Sequence, residues 1–236
     1  MESSSQEGGE KKKFTEVKTF PVPFALGEKK ENITITTNTP SKPSNEQIIN
    51  QAFKFHSQGN IQKAAKLYQY FISQGFKDHI VFSNYGVIFQ NFGRLKEAEN
   101  SYRKAIEINP NFADSYSNLG SILRDLGKLK EAENSYRKAI KIKPDFVIAH
   151  FNLGNILKDL GKLKEAELSI RKAIEIEPNF ANAYSNLGNI LKDLGKLNEA
   201  EISTRKAIQI KPNFAMAYCN LGVILRDIGN LPEAQI

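Results

Sequence analysis

From position 45 onward the apolar residues fall into two alternating helical stripes, and the whole pattern returns every 34 residues. In residues 113–146, Tyr116, Leu119, Gly120 and Leu123 stand at i, i+3, i+4 and i+7, which is one face of a helix. Gly127 then supplies a residue able to adopt the left-handed backbone that ends a helix. Leu129, Ala132, Tyr136, Ala139 and Ile140 stripe a second helix, which stops before Pro144 because proline has no N–H to donate and clashes with the preceding turn. The pattern predicts two helices in every 34 residues.

Small residues keep the same step. Gly86, Gly120, Gly154, Gly188 and Gly222 are each 34 apart, as are Gly93, Gly127, Gly161, Gly195 and Gly229, and also Ala98, Ala132, Ala166, Ala200 and Ala234. Pro110, Pro144, Pro178 and Pro212 follow the same rule. The segment NLGNILKDLGKLKEAE, Asn152 to Glu167, recurs at Asn186 to Glu201 with Lys164 exchanged for Asn198. Self-copying at a fixed period writes a stacked array rather than a single chemical site. The expected repeats are 45–78, 79–112, 113–146, 147–180 and 181–214, with a partial sixth at 215–236. Gly120 and Ala139 are small because two helices about 8 Å apart leave no room for a large side chain at the contact.

Residues 1–44 lack this period and carry Pro21, Pro23, Pro40 and Pro43, so a disordered tail is expected there. Within it NITITT, Asn32 to Thr37, alternates isoleucine and threonine as an extended segment does, and is expected to be able to lie in the groove of its own or a neighbouring molecule. Asn32-Ile33-Thr34 also matches a glycosylation acceptor, taken as chance because no secretion signal precedes it. No apolar run approaches 18 residues, and the polar, acidic start is unlike a signal peptide; a cytoplasmic protein without a membrane partner is expected.

The net charge of +7 changes the picture little, since Lys/Arg and Asp/Glu alternate closely through every repeat. No basic stripe with interleaved aromatics forms, so no nucleic-acid partner is expected. One cysteine, Cys219, and three histidines, His56, His79 and His150, at three different repeat positions offer neither a metal set nor a nucleophile with its base. No catalysis, metal or cofactor is expected. Glu99 with Arg103, Glu133 with Arg137, Glu167 with Arg171 and Glu201 with Arg205 stand at i,i+4 and read as ordinary surface support.

Small Gly or Ala at repeat positions 8, 20 and 27, an aromatic at position 4, Tyr at 24 in several copies and Pro at 32 together resemble the tetratricopeptide (TPR) repeat, over residues 45 to 236. The Asn-Leu-Gly-Asn openings are similar to the repeats that precede the catalytic region of O-GlcNAc transferases. The resemblance implies an all-α, right-handed superhelical solenoid of antiparallel helix pairs, with first helices lining a concave groove. It departs at Ala52, Phe71 and Phe76 in the first repeat, and at His150 and Ile170 in the fourth.

Asn50, Asn84, Asn118, Asn152, Asn186 and Asn220 all occupy position 6 of their repeats. Asn155 and Asn189 follow one turn later, then Arg124, Lys158, Lys192 and Arg226. Each amide can both donate to and accept from a peptide backbone. The expected function is a non-catalytic scaffold that binds proteins or extended peptide segments in this groove, although asparagine at this position is also part of the family consensus. The alternative is the substrate-recruiting part of a glycosyltransferase or similar transferase whose catalytic domain is not in this chain. The lysine and arginine clamp by which chaperone-type TPR domains hold a C-terminal carboxylate is not expected, because Ser83, Ser117, Phe151, Ser185 and Cys219, with Met216 in the later place, stand at the matching positions. Self-association is also expected through the uncapped last repeat, around Leu221, Leu225 and Leu231.

Overall fold

The computed structural model describes residues 44–229, all helix and short connections, with no strand among them. The NITITT segment and Leu231 lie outside the described residues. The chain divides between Phe76 and Lys77 into two compact units.

The first unit holds α1 (Asn45–Ser57) and α2 (Ile61–Ser73). Ser44 starts α1 with a reciprocal cap: its Oγ accepts the Gln47 N–H at 3.2 Å while Gln47 Oε1 accepts the Ser44 N–H at 2.9 Å. Ala52 and Tyr68 are buried between the helices. His56 Nδ1 stands 3.2 Å from the Tyr68 hydroxyl, and burial lowers the imidazole pKa.

The second unit holds α3 (His79–Asn91), α4 (Leu95–Ile108), α5 (Ala113–Asp125), α6 (Leu129–Ile142), α7 (Val147–Asp159), α8 (Leu163–Ile176), α9 (Ala181–Asp193), α10 (Leu197–Ile210) and α11 (Ala215–Ile228). The first helix of each pair ends as the glycine spacing predicts. Gly127 sits at φ +75°, its N–H bonds the Arg124 carbonyl at 2.8 Å, and the Lys128 N–H bonds the Leu123 carbonyl at 2.8 Å. That pair of bonds is the Schellman closure. Second helices stop without it: Lys143, between α6 and Pro144, is already extended at φ −128°.

Within a pair, Gly120 faces Tyr136, and a methyl group at the glycine would stand 2.8 Å from two ring carbons. Gly86 meets Tyr102 in the same way, and both rings are wholly buried. Within this unit α5, α7, α9 and α11 also pack on the even-numbered helix before them, and each odd-numbered helix touches the next odd-numbered one; no even-numbered helix packs comparably on the next even one. The odd helices therefore form the closer inner layer of a solenoid of antiparallel pairs.

Even-numbered helices are joined instead by ion pairs, which corrects the reading of the i,i+4 pairs as isolated surface support. Glu99 accepts from Arg103 at 2.8 Å on its own helix and from Lys128 of the next repeat at 3.0 Å, and Arg103 reaches on to Glu131 at 3.1 Å. In α11 part of the face expected to lack cover is covered. Leu221 and Leu225 are only 5% and 0% exposed, because α11 packs against α10 and α9. The exposed apolar side chains of α11 are Met216, Tyr218 and Val223.

Candidate peptide-binding face

The outward face of the inner helices is set by helical geometry. Residues 2, 5, 6 and 9 of each first helix are three or four apart and share one side, with residues 12 and 13 continuing it. The packing stripe described above takes the other side, so the polar residues on this side lie against neighbouring inner helices or meet solvent.

Asn84, Asn118, Asn152, Asn186 and Asn220 stand at the same place on α3, α5, α7, α9 and α11, and all five are partly buried. Asn50 is exposed and belongs to the first unit. The amides are not equivalent. Asn186 Nδ2 donates to Asn155 Oδ1 at 2.7 Å, and Asn220 Nδ2 donates to Ser185 Oγ at 3.0 Å, so these two tie neighbouring inner helices together. The side chains of Asn118, Asn152 and Asn189 make no hydrogen bond within the described protein. Their donors and acceptors are left unengaged by the described residues.

The cations beyond the amides are matched by aspartates. Arg124 pairs with Asp125 at 3.2 Å, Lys158 with Asp193 at 3.7 Å, Lys192 with Asp193 at 3.2 Å and Arg226 with Asp227 at 3.3 Å. Sequence reasoning singled out the cations and missed these acids, although Asp125, Asp159, Asp193 and Asp227 recur at the following position. Asn155, Lys158, Asp159 and Asn186 line a small polar cavity of about 140 Å³ between α7 and α9.

Position 5 separates the repeats further. Ser83, Ser117 and Ser185 are buried where inner helices approach, while Phe151 takes that place on α7 and packs against Phe180, ring centroids 4.8 Å apart and planes tilted by 48°. In the third repeat the Tyr136 hydroxyl reaches through to this face and lies 3.0 Å from Ser121 Oγ.

The histidines are used in packing. His150 is buried with Nε2 2.9 Å from the Pro144 carbonyl oxygen, and His79 meets Phe112 edge-on at 4.8 Å. Cys219 is exposed. Among the described residues no group of His, Cys, Asp or Glu could hold a metal ion, and no helix is long and apolar enough to cross a membrane.

This architecture of stacked antiparallel helix pairs defines a repeat scaffold of the helix-pair class. Sequence models of the TPR repeat match residues 120–161 and 154–195, and further tetratricopeptide repeat models match 81–112, 101–134, 181–214 and 204–236. The matches run without a gap from 81 to 236, and the chain belongs to the tetratricopeptide repeat family. No curated protein matches it.

Among solved structures, YrrB, described as a TPR protein with an unusual peptide-binding site, is 26% identical with a TM-score of 0.63 over 72% of this chain and 88% of its own. MamA is also 26% identical, with a TM-score of 0.60 over 64% of this chain and 88% of its own. PilF of Pseudomonas aeruginosa, 17% identical, shares the fold with a TM-score of 0.70 over 81% of this chain and 87% of its own.

Proposed function

We propose that the chain is a non-catalytic scaffold whose inner helices hold an extended segment of another protein by its backbone. The observation that carries this reading is the set of amides of Asn118, Asn152 and Asn189, partly buried and without a hydrogen-bond partner among the described residues. These amide atoms are not sealed in the packing, so a ligand backbone can take the place of water on them. Likeness to a protein described as having a peptide-binding site supports the same class of ligand.

Inner helices about 8–10 Å apart and an extended chain rising about 3.3 Å per residue bring successive asparagines to about every third ligand residue. Each bond contributes about 0.5–1.5 kcal/mol net, against about 1–2 kcal/mol for ordering each ligand residue, so the amides alone give weak, sequence-tolerant binding. Side-chain contacts must supply the rest.

The test is the pair Asn118→Ala and Asn152→Ala, with partner recovery from lysate and thermal unfolding measured together. Loss of partners with melting unchanged is expected. Retained partners with a large drop in melting temperature would show that these amides hold the helices together and read nothing.

A further inference from the structure

The same face carries a second pattern, one turn before the asparagines. Ile80, Ile148 and Met216 are the second residues of α3, α7 and α11, each four residues ahead of Asn84, Asn152 and Asn220 and so on the same side of the helix. They are large and apolar, yet 38%, 47% and 58% exposed. On α5 and α9 the same place holds Asp114 and Asn182, both exposed. Exposed apolar side chains thus recur on every second inner helix. The fold does not require them, since an acid and an amide stand there in the alternate repeats. Beside Ile148, the Phe151 and Phe180 ring pair enlarges the apolar surface at α7.

We propose that Ile80, Ile148 and Met216 are anchor points for aliphatic side chains of the bound peptide, and that the ligand carries such a side chain at about every fifth or sixth residue. The interval follows from two helix steps of about 8–10 Å, which sum to about 16–20 Å, divided by about 3.3 Å per extended residue. Between anchors the ligand carries no acidic residues, because each cation of the face already lies within 3.7 Å of an aspartate. An acidic segment would gain little from cations already paired. The inference rests on the reading that the asparagines hold the backbone; it adds the side chains that give the groove a preference.

Fluorescence anisotropy of the full chain with three labelled peptides of Ser, Thr, Asn and Gly tests it. One peptide has no leucine, one has two leucines three residues apart, and one has two leucines six residues apart. The six-residue spacing is expected to bind about tenfold tighter than the leucine-free peptide, the gain of burying one or two aliphatic groups. Ile148→Asn, which copies the α9 residue at an exposed site, should remove that gain with melting unchanged, and Met216→Asn should act likewise on longer peptides. Equal affinity for all three peptides, weakened by Asn118→Ala with Asn152→Ala, overturns the anchors and leaves backbone recognition standing. A gain that survives Ile148→Asn also overturns them. Binding of none of the peptides overturns both readings.

Discussion

Lys128 Nζ lies 3.0 Å from Oε2 of Glu99, a residue of the preceding repeat, and the same contact recurs between Lys162 and Glu133 and between Lys196 and Glu167, both at 2.9 Å. Each glutamate also accepts from the arginine four residues on, and that arginine reaches the next helix: Arg103 to Glu131, Arg137 to Glu165, Arg171 to Glu199. The result is a ladder along α4, α6, α8 and α10, helices that otherwise scarcely pack on one another. The carboxylates are the enclosed members, with side chains 10–12% exposed, while their cations are roughly half in water. Burial alone would raise the pKa of Glu99, Glu133 and Glu167; hydrogen bonds from the cations outweigh it and hold all three below the ordinary value.

Removing one rung should therefore cost more than an ordinary surface pair. Glu133→Gln is expected to lose about 1.5–2 kcal/mol, the low end of the range for hydrogen bonds to charged groups because the cations are half in water. Glu131→Gln, at a carboxylate 53% exposed, should lose less than about 0.5 kcal/mol. Urea unfolding of the two variants measures the difference, and equal losses would show that the ladder contributes nothing beyond isolated pairs.

The depressed carboxyl pKa values fix the sign of the pH response. Glutamates that ionise more readily folded than unfolded stabilise the fold above the ordinary value of 4.5, and that contribution disappears as pH falls below it through the folded values. The glutamate contribution should therefore be flat near neutrality and fall away below about pH 4.5, beneath the loss that the lowered His56 pKa begins as pH falls past 6.5. Melting curves of the variant carrying Glu99→Gln, Glu133→Gln and Glu167→Gln should show a shallower acid drop than the parent.

The sequence made the helices legible and left their longest contacts hidden. Glycines at a step of 34 predicted the helix ends, and Gly127 and Gly120 serve the two roles their positions imply, one at φ +75° and one against a tyrosine ring. The ladder went unread because Lys128 and Glu99 are 29 residues apart, a separation that has meaning only once two helices are stacked. A scan for i,i+4 pairs finds Glu99 with Arg103 and stops there. The asparagine row was visible, but not that Asn186 and Asn220 spend their amides on neighbouring helices while Asn118 and Asn152 do not. That division depends on side-chain rotamers and on Asn155 and Ser185 standing one helix away.

Gly120→Ala is expected to destabilise by about 1–3 kcal/mol, since the new methyl would press on the buried Tyr136 ring and outweigh a gain in helix propensity of about 1 kcal/mol. Gly120→Ala combined with Tyr136→Leu should recover part of that loss. A double variant no more stable than Gly120→Ala alone would place the strain elsewhere.

Ser115 presents the opposite case. Its hydroxyl is fully buried and makes no hydrogen bond, whereas Ala149, Ala183 and Ala217 fill the same place in the later repeats and are equally buried. Replacing an unsatisfied buried hydroxyl by hydrogen removes a desolvation penalty of about 1–3 kcal/mol. Ser115→Ala should raise the melting temperature, and calorimetry showing a fall would mean that the hydroxyl is bonded in solution.

The amides of the inner face should separate by role when changed singly. Asn186 bonds Asn155 across two helices at 2.7 Å, so Asn186→Ala removes an internal contact and leaves Asn155 Oδ1 without its donor. A loss of about 0.5–1.5 kcal/mol is expected, reduced by whatever water reaches the partly buried acceptor. Asn152 has no such partner, and Asn152→Ala should leave stability within about 0.5 kcal/mol of the parent. Binding should order them the other way, because only the unengaged amide offers both its donor and its acceptor to a ligand backbone. Chemical unfolding of each single variant, paired with anisotropy of a bound peptide, measures both axes. If Asn152→Ala destabilises as much as Asn186→Ala and binding is unaffected, the row serves the packing of inner helices throughout and the proposed recognition fails.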